Sequence, residues 1–291
     1  MSAALFFLKI QVVEVLPYWF LGIFLGSLLA VLGKGRIHSA IQKLGSQWGV
    51  LGVIPASILG ILSPLCMYGT VPLAASLAQK GLRQDWLAAF MMSSVLLNPQ
   101  MIIYTAALGK ETLLLVVLAC FLCGALAGLL VHFFYREKPF FAFGNLQEPA
   151  DHDTDPVLWR RVLKNMGRNV KATGQWFALG IVLAVVFQLV VPSNFVGHLF
   201  SASDRLGILL AATMGVPLYV CGGGAVPLLH SWMNDGMSIG AVTAFLLTGP
   251  ATKITNLSAL KVVFTGKNYL FYFGYIVIFS LFAGGMINAM S

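Results

Sequence analysis

The sequence predicts an all-α polytopic membrane protein built from two inverted repeats, and three observations lead to this prediction. The first is composition, because 58% of the residues are hydrophobic and only 10% are charged, whereas a soluble domain carries about 25% charged residues. The second is the recurrence of continuous apolar segments, each long enough to cross a bilayer as a helix of roughly 20 residues. The third is a short stretch that occurs twice.

The repeated stretch divides the chain into two copies of one unit. Residues 63–72 read Ser-Pro-Leu-Cys-Met-Tyr-Gly-Thr-Val-Pro, and residues 217–227 read Pro-Leu-Tyr-Val-Cys-Gly-Gly-Gly-Ala-Val-Pro. Cys66 aligns with Cys221, and the following Val-Pro-Leu with its later copy, at an offset of 155 in a chain of 291 residues. We therefore predict an N-terminal membrane repeat over 1–135, a cytoplasmic linker over 136–168 and a C-terminal membrane repeat over 169–291.

Each predicted repeat contains three spans and one broken apolar segment. The spans of the two repeats are residues 11–33, 86–109, 111–135, 169–192, 238–263 and 268–290. The broken segments, roughly 47–81 and 204–235, carry the repeated stretch. Each broken segment has two interpretations: one irregular span, giving eight spans in all, or a re-entrant helical hairpin that returns to the face it came from.

The distribution of Lys and Arg favours the hairpin interpretation. With eight spans the basic residues divide 10 to 7 between the two faces, and Lys253 stays inside a span. With six spans and two hairpins they divide 14 to 3, leaving only Lys9, Lys110 and Arg205 outside. Cytoplasmic loops of membrane proteins carry the excess of positive charge. We therefore expect inverted repeats with both termini outside and the linker in the cytoplasm.

The hairpin tips, Ser63–Thr70 and Pro217–Gly224, are the predicted functional site. Non-helical backbone within a membrane is tolerated only inside protein or beside a water-filled cavity, and matching Gly/Pro breaks in two repeats indicate a transporter's binding site. Helices starting near Gly69–Val71 and Gly223–Ala225 would direct N–H groups toward that site. Further breaks are expected at Ser93-Ser94 through Asn98-Pro99 and at Thr248 through Thr252. The alternative is that these prolines only kink packed helices.

The predicted substrate-binding residues share a position at the tips or at the span breaks beside them. They are Cys66, Tyr68, Gly69, Thr70, Asn98, Cys221, Gly222, Gly223, Gly224, Thr248, Thr252 and Lys253.

Among these residues, the two cysteines and Lys253 have the side chains that say most about the substrate. A thiol suits soft, thiophilic species, although a buried cysteine also serves as a small apolar filler, and both interpretations of Cys66 and Cys221 stay open. Lys253 is the only basic residue well inside a span, which suggests a functional role; the alternative is a side chain that extends to the cytoplasmic interface. Cys120 and Cys123 lie beside Gly124 and Gly128, a pattern typical of close helix packing.

Several function classes are disfavoured by the sequence. The net charge of +8 fits basic cytoplasmic loops and not nucleic-acid binding. Walker, HExxH and paired intramembrane carboxylate patterns are missing from the sequence, so we expect neither an ATP-driven pump nor an enzyme, and no cofactor. The expected partners are a small-molecule substrate, the lipid bilayer and a coupling proton or cation. Self-association into a homo-oligomer is left open.

The motifs resemble those of the bacterial permease family that includes ArsP-type organoarsenical efflux permeases and YraQ-like proteins. The resemblance rests on Pro64-Leu65-Cys66, Thr70-Val71-Pro72, Asn98-Pro99, the segment Cys221–Pro227 and Gly249-Pro250, and it covers nearly the whole chain. It implies a multi-pass protein of the bacterial inner membrane that exports a trivalent organoarsenical such as methylarsenite. In that case Cys66 and Cys221 would contact the arsenic.

We therefore expect a secondary transporter that exports a small thiophilic solute. Two alternatives stay open: a transporter of an anionic sulfur compound or oxyanion, and a membrane thiol-relay or redox protein that uses the cysteines.

Overall fold

The fold is described from a computed structural model of the chain. It describes residues 48–63, 65, 67–79, 81–135, 139–143, 157–168, 170–171, 174, 207–213, 219, 225–226, 229–230, 232–233, 236–253, 256–257, 260–261 and 263–290, together with positions 9, 13, 20, 23–24 and 27–28. Every regular element in these residues is a helix.

Seven bounded helices make up the described architecture. The first half contributes α1 (Val53–Leu62), α2 (Met67–Gln79), α3 (Gln84–Leu96), α4 (Pro99–Ala106) and α5 (Lys110–Phe134). The second half contributes α6 (Ile239–Thr252) and α7 (Gly266–Met290). A short 3-10 helix, Gly49–Gly52, precedes α1, and residues 158–168 and 207–213 are also helical.

Two of these helices, α5 and α7, are long and apolar enough to cross a membrane, at 25 residues each. Along α5 the exposed leucines recur every fourth residue and form one outward face, as expected of a helix that meets lipid on that side. The predicted spans 11–33 and 169–192 lie almost entirely outside the described residues. The all-helical architecture is confirmed, whereas the count of six spans stays a prediction.

The predicted span 86–109 is two helices with a break between them. α3 ends at Leu96, and both Leu97 and Asn98 are extended. Pro99 explains the break, because a residue before proline is disfavoured in helical backbone. Asn98 then begins α4, since its side chain accepts a hydrogen bond from the Met101 amide at 2.9 Å, which satisfies one of the unpaired donors at a helix start. The break predicted around Asn98-Pro99 is therefore present.

The break predicted at Thr248–Thr252 lies further along the chain. α6 runs through Pro250 and ends at Thr252. Hydroxyl groups stabilise this stretch: Thr248 donates to the Ala244 carbonyl at 2.9 Å, and Thr252 donates to the Thr248 carbonyl at 2.6 Å. The helix therefore stops at Lys253 and not at Gly249-Pro250.

The first break begins where the tip was predicted but ends earlier than predicted. α1 ends at Leu62, with Ser63 extended, inside the predicted tip. α2 begins at Met67, two residues before the predicted start near Gly69. The interruption of the apolar segment 47–81 is therefore confirmed, and its second helix already contains Gly69 and Thr70.

Small residues allow the helices of the first half to pack closely. α3 lies between α1 and α5 and packs extensively against both. Gly124 of α5 faces Ser93 and Ser57, and a Cβ there would overlap the Ser93 hydroxyl. The two serine hydroxyls are hydrogen-bonded at 2.6 Å. α6 packs on α7 and also contacts α3 and α5, which joins the two halves.

Local contacts of the first half recur in the second half. The turn before α3 has Gly81 at φ 83° and the turn before α6 has Gly236 at φ 101°, so each uses the left-handed backbone that favours glycine. Gly81 donates to the Ala78 carbonyl at 3.0 Å, and Gly236 to the Met233 carbonyl at 3.1 Å. Both are helix C-caps of the Schellman type, and they lie 155 residues apart.

In the helix pair that follows each turn, one glycine of the second helix lies against a backbone carbonyl of the first helix. A Cβ on Gly128 of α5 would lie 2.8 Å from the Asp85 carbonyl oxygen of α3. A Cβ on Gly284 of α7 would lie 2.7 Å from the Gly240 carbonyl oxygen of α6. The offsets are 155 and 156 residues. The packing of α3 on α5 and of α6 on α7 thus depends on glycine at the same place.

Candidate functional site

A small apolar cavity of about 30 Å³ lies at the interface between the two halves. This volume holds roughly two water-sized groups. The cavity is lined by Met67, Ala88, Met91, Met92, Val95, Ala127, Leu130, Val131, Phe140, Phe141, Leu260, Phe264, Phe271, Tyr272 and Tyr275. Its walls therefore come from α2, α3 and α5 on one side and from α7 and residues 260–264 on the other.

The lining of the cavity is uncharged and rich in sulfur. Met67, Met91 and Met92 contribute three thioethers, and each side chain is buried. The two tyrosine hydroxyls are already engaged: Tyr272 donates to the Ala251 carbonyl at 3.0 Å and Tyr275 to the Cys123 carbonyl at 2.6 Å. Thioether sulfur is polarizable and is a soft ligand. The cavity therefore suits a small, neutral or soft group and opposes a hydrated ion.

A strap formed by residues 139–143 closes one side of the cavity. The Phe140 amide donates to Oε1 of Gln84, at the start of α3, at 2.6 Å. Nδ2 of Asn268, in α7, donates to the Phe140 carbonyl at 2.6 Å, and the Ala142 amide donates to the Val263 carbonyl at 2.7 Å. One peptide segment is thus bonded to both halves, and the Phe140 ring lies against the cavity.

Residues of the first predicted tip lie next to the α3–α4 break. Gly69 and Thr70 are buried in α2. The Thr70 hydroxyl is hydrogen-bonded to the Ser94 hydroxyl at 2.8 Å, and Ser94 is four residues before Asn98. The structure therefore brings together Thr70, Ser94 and the break that ends at Asn98.

The second predicted tip reaches the first half through Tyr219. Its hydroxyl donates to the Met101 sulfur at 3.5 Å, in the first turn of the helix that Asn98 caps. Its ring also packs on Gly249, where a Cβ would overlap it, next to Thr248. Tyr219 is not among the residues predicted from the sequence, although its place two residues before Cys221 was available as a signal.

The polar residues at the end of α6 have defined hydrogen bonds. The Thr248 and Thr252 hydroxyls donate within the helix and both side chains are buried. Lys253 is half-buried at the helix end, and its carbonyl accepts from the Leu257 amide at 2.9 Å. Asn98 stands in the same position, because its carbonyl accepts from the Ile102 amide at 3.0 Å. Asn98 and Lys253 thus both precede a helical turn that their carbonyls begin, and they lie 155 residues apart.

The remaining predicted site residues are not all described. Cys66, Cys221, Gly222, Gly223 and Gly224 lie outside the described residues, as does the side chain of Tyr68. The neighbours of Cys66 in sequence, Leu65 and Met67, are buried. The substrate-binding role of the undescribed site residues stays a prediction.

Cys120 and Cys123 are free thiols buried in α5. They lie on the helix whose Gly124 and Gly128 approach α3 most closely. This setting agrees with the close-packing interpretation of the two cysteines.

One polar group of the first half was missed in the sequence. Asp85, in the first turn of α3, is buried. Its carboxylate contacts Arg83, which directly precedes α3, and His132 of α5. The available signal was a carboxylate at the start of an apolar helix, where the helix dipole favours negative charge.

Comparison with known protein families gives the class of the protein. The family model ArsP_1, described as a predicted permease, matches residues 1–289. The chain belongs to this permease family. The permease is thus a multi-pass protein of the bacterial cell membrane, as its apolar helices indicate.

Three relatives match most of the permease at low identity. UPF0718 protein YcgR of Bacillus subtilis is 21% identical over 94% of this chain and 93% of its own length. A putative two-component membrane permease complex subunit of Streptococcus mutans is 23% identical, with coverage of 94% and 93%. UPF0718 protein YraQ of Escherichia coli is 24% identical over 91% of this chain and 75% of its own length. No solved structure matches the permease.

Proposed function

We propose that this permease is a secondary transporter that exports a small thiophilic solute, with a trivalent organoarsenical such as methylarsenite as the specific candidate. The observation that carries the proposal is the cavity at the interface between the halves, with three buried thioethers and no charged side chain in its lining. Methylarsenite is neutral and its arsenic(III) centre is soft, so burial in this lining does not remove a charge from water.

The tip cysteines would supply the stronger sulfur ligands. Cys66 immediately precedes Met67 in the chain, and Met67 forms part of the cavity wall. Cys221 follows Tyr219 by two residues, and Tyr219 contacts Met101 of the first half. These neighbours support a path in which the solute passes from the tip thiols to the thioether-lined cavity, which would widen beyond its present volume of about 30 Å³ to admit it.

Two inverted repeats would provide the conformational change. Supporting observations are the recurring contacts of the α3–α5 and α6–α7 pairs and the 14 to 3 division of basic residues. Movement of one half against the other would then expose the cavity to each side of the membrane in turn. Under this proposal residues 1–135 and 169–291 are the moving units, and residues 136–168 link them in the cytoplasm.

The test is resistance to methylarsenite in a sensitive bacterial host that expresses the permease. The double variant Cys66→Ser, Cys221→Ser should lose resistance, because a hydroxyl is a poor ligand for a soft centre. The matched control is Cys120→Ser, Cys123→Ser, which removes as many thiols from the packed face of α5. Expression of each variant is checked in isolated membranes.

Resistance that survives in the Cys66, Cys221 double variant would show that the thiols do not bind the solute. Loss of resistance in the Cys120, Cys123 control alone would instead favour a thiol-relay protein.

A second candidate is transport of an anionic sulfur compound or oxyanion. The observation that favours it is Lys253, half-buried at the end of α6 beside the break. Lys253→Ala should then abolish flux of thiosulfate or sulfite in membrane vesicles, and unchanged flux would eliminate this candidate.

A further inference from the structure

A carboxylate, a guanidinium and an imidazole meet where α3 begins and α5 ends. The Asp85 side chain is 4% exposed, that of His132 is 23% exposed and that of Arg83 is 34% exposed. Arg83 binds the Asp85 carboxylate through Nη2 at 2.6 Å and through Nε at 3.1 Å. The Trp86 amide donates to Asp85 Oδ1 at 2.9 Å. The carboxylate therefore accepts three hydrogen bonds, two from Arg83 and one from the Trp86 amide, before His132 is considered.

His132 Nδ1 lies between the two charged groups. It is 3.1 Å from Asp85 Oδ2 and 3.2 Å from Arg83 Nη2. A neutral ring can use Nδ1 for one of them only, accepting from Arg83 or donating to Asp85, whereas a protonated ring can only donate. Protonation of His132 thus strengthens the contact with Asp85 and places two positive charges 3.2 Å apart, which favours movement of the more exposed Arg83 toward water.

The same place in the second half holds a neutral version of the network. Asn288 of α7 accepts from the Gly240 amide at 2.8 Å and donates to the Ser238 hydroxyl at 2.8 Å. Asn288 lies 156 residues after His132, and Ser238 lies 155 residues after Arg83. The packing of the helix pair therefore does not require ionisable groups, since amide and hydroxyl groups serve there.

We propose that Asp85 and His132 form the proton-binding site through which this permease couples transport to the proton gradient. The coupling rests on the proposed function as a secondary transporter. Histidine is the side chain that ordinarily changes charge between about pH 5 and 8. The proton binds at His132, Asp85 stabilises the imidazolium, and Arg83 is released. In the inverted-repeat topology this site faces the cytoplasm, and the neutral network faces outward.

The groups that face His132 from the neighbouring elements define this site. Arg83 and Asp85 are the ionisable residues that contact it from the start of α3. α1, which packs on α5, consists of residues without ionisable side chains, as does the strap 139–143. Of the other helices that contact α5, α6 has no ionisable side chain, α4 has Tyr104, and α7 has Lys267 and three tyrosines. Histidine is the side chain among all these groups that ordinarily titrates between about pH 5 and 8.

The test uses the full chain in proteoliposomes that contain a trapped pH-sensitive dye. Methylarsenite is added outside, and its uptake and the accompanying proton movement are measured together. In the wild type the two should occur in a fixed ratio. In His132→Gln, which keeps an amide donor for Asp85 but binds no proton, the number of protons moved per methylarsenite should fall at least 10-fold.

Two matched controls separate this site from general effects. His230→Gln removes one histidine from the second half, and Asn288→Gln alters the neutral counterpart of the network. Both should keep the wild-type ratio. A wild-type ratio in His132→Gln would overturn the proposal, as would the same loss in the two controls.

A second measurement tests the proton-binding step of the proposal without transport. Ring signals of labelled histidines are followed by NMR in detergent between pH 5 and 8, and the His132 signal is identified by its loss in His132→Gln. A signal that responds to pH, with a response that changes in Asp85→Asn, supports proton binding. A signal that does not respond overturns it. If the wild type moves no methylarsenite, the proposed substrate is wrong, and this titration alone decides the proton site.

Discussion

Individual residues at the helix contacts determine how closely the membrane helices approach. Gly284 of α7 meets the Gly240 carbonyl oxygen, and a Cβ there would also lie 3.1 Å from the Ala244 Cβ of α6. The next residue, Gly285, faces open space, with nothing within 4 Å of a Cβ. Adjacent glycines of one helix thus have opposite surroundings, which gives a direct test of the packing.

Gly284→Ala should lower the stability of the folded permease, whereas Gly285→Ala should leave it unchanged or raise it by up to about 1 kcal/mol, because alanine is the better helix former. The first change forces the α6 backbone away from α7, and overpacking of this kind costs about 1–3 kcal/mol. Thermal unfolding in detergent, followed by the fluorescence of the protein, measures both. Equal stability of the two variants would contradict the close contact.

Among the elements, the strap 139–143 has a role that its sequence did not suggest. Its residues are apolar and begin five residues after the end of α5, within the predicted cytoplasmic linker 136–168. In the structure Phe140 is hydrogen-bonded to Gln84 and to Asn268. Its ring is edge-on to those of Tyr135 and Phe264, at 4.7 Å and 5.1 Å between centroids. The strap is therefore part of the interface between the halves.

Gln84→Ala should accelerate hydrogen exchange of the Phe140 amide, because that donor loses its acceptor at a cost of about 1–3 kcal/mol. Gln84→Glu keeps an oxygen in place and should retain most of the protection. Hydrogen–deuterium exchange of the peptide that contains residues 139–143 measures the difference. Equal exchange in the alanine variant and the wild type would show that the Gln84 bond does not protect the strap, which its other contacts would then hold.

An element could be predicted from the sequence where the residues that cause it are neighbours in the chain. The break at Asn98-Pro99 follows from proline and from a capping asparagine, and both are visible in the sequence. α6 continues through Pro250 to the last residue of its predicted break, Thr252. Its end is also bonded by Asn256, whose Nδ2 donates to the Pro250 carbonyl, a contact that the motif Gly249-Pro250 does not reveal. The cavity, Tyr219 and the Asp85 network depend on contacts between distant segments, which periodicity and motif spacing do not encode.

At the scale of the whole molecule, the two halves share local contacts but are predicted to lie in the membrane in opposite directions. The same turn, helix pair and glycine contact occur twice, and the charge distribution predicts opposite orientations in the membrane. Equivalent loops of the two halves should then face opposite sides.

Topology reporters inserted after Gly109 and after Thr265, which precede α5 and α7, should report outside for the first and cytoplasm for the second. A reporter at residue 150 serves as a control and should lie in the cytoplasm. The physical reason is that Lys110 belongs to the sparsely charged face, whereas Lys261 and Lys267 belong to the basic one. Reporters on the same side would mean that the halves are parallel, as in the eight-span alternative.

The strap also has a consequence for the order in which the molecule assembles. Phe140 is synthesised 128 residues before Asn268, its partner in α7. At a synthesis rate of about 5–20 residues per second, roughly ten seconds separate the two. During that interval the first half is inserted while the aromatic residues of its strap still lack their final neighbours. The interface between the halves is therefore completed last, and the first half must persist in the membrane as an unfinished intermediate until α7 arrives.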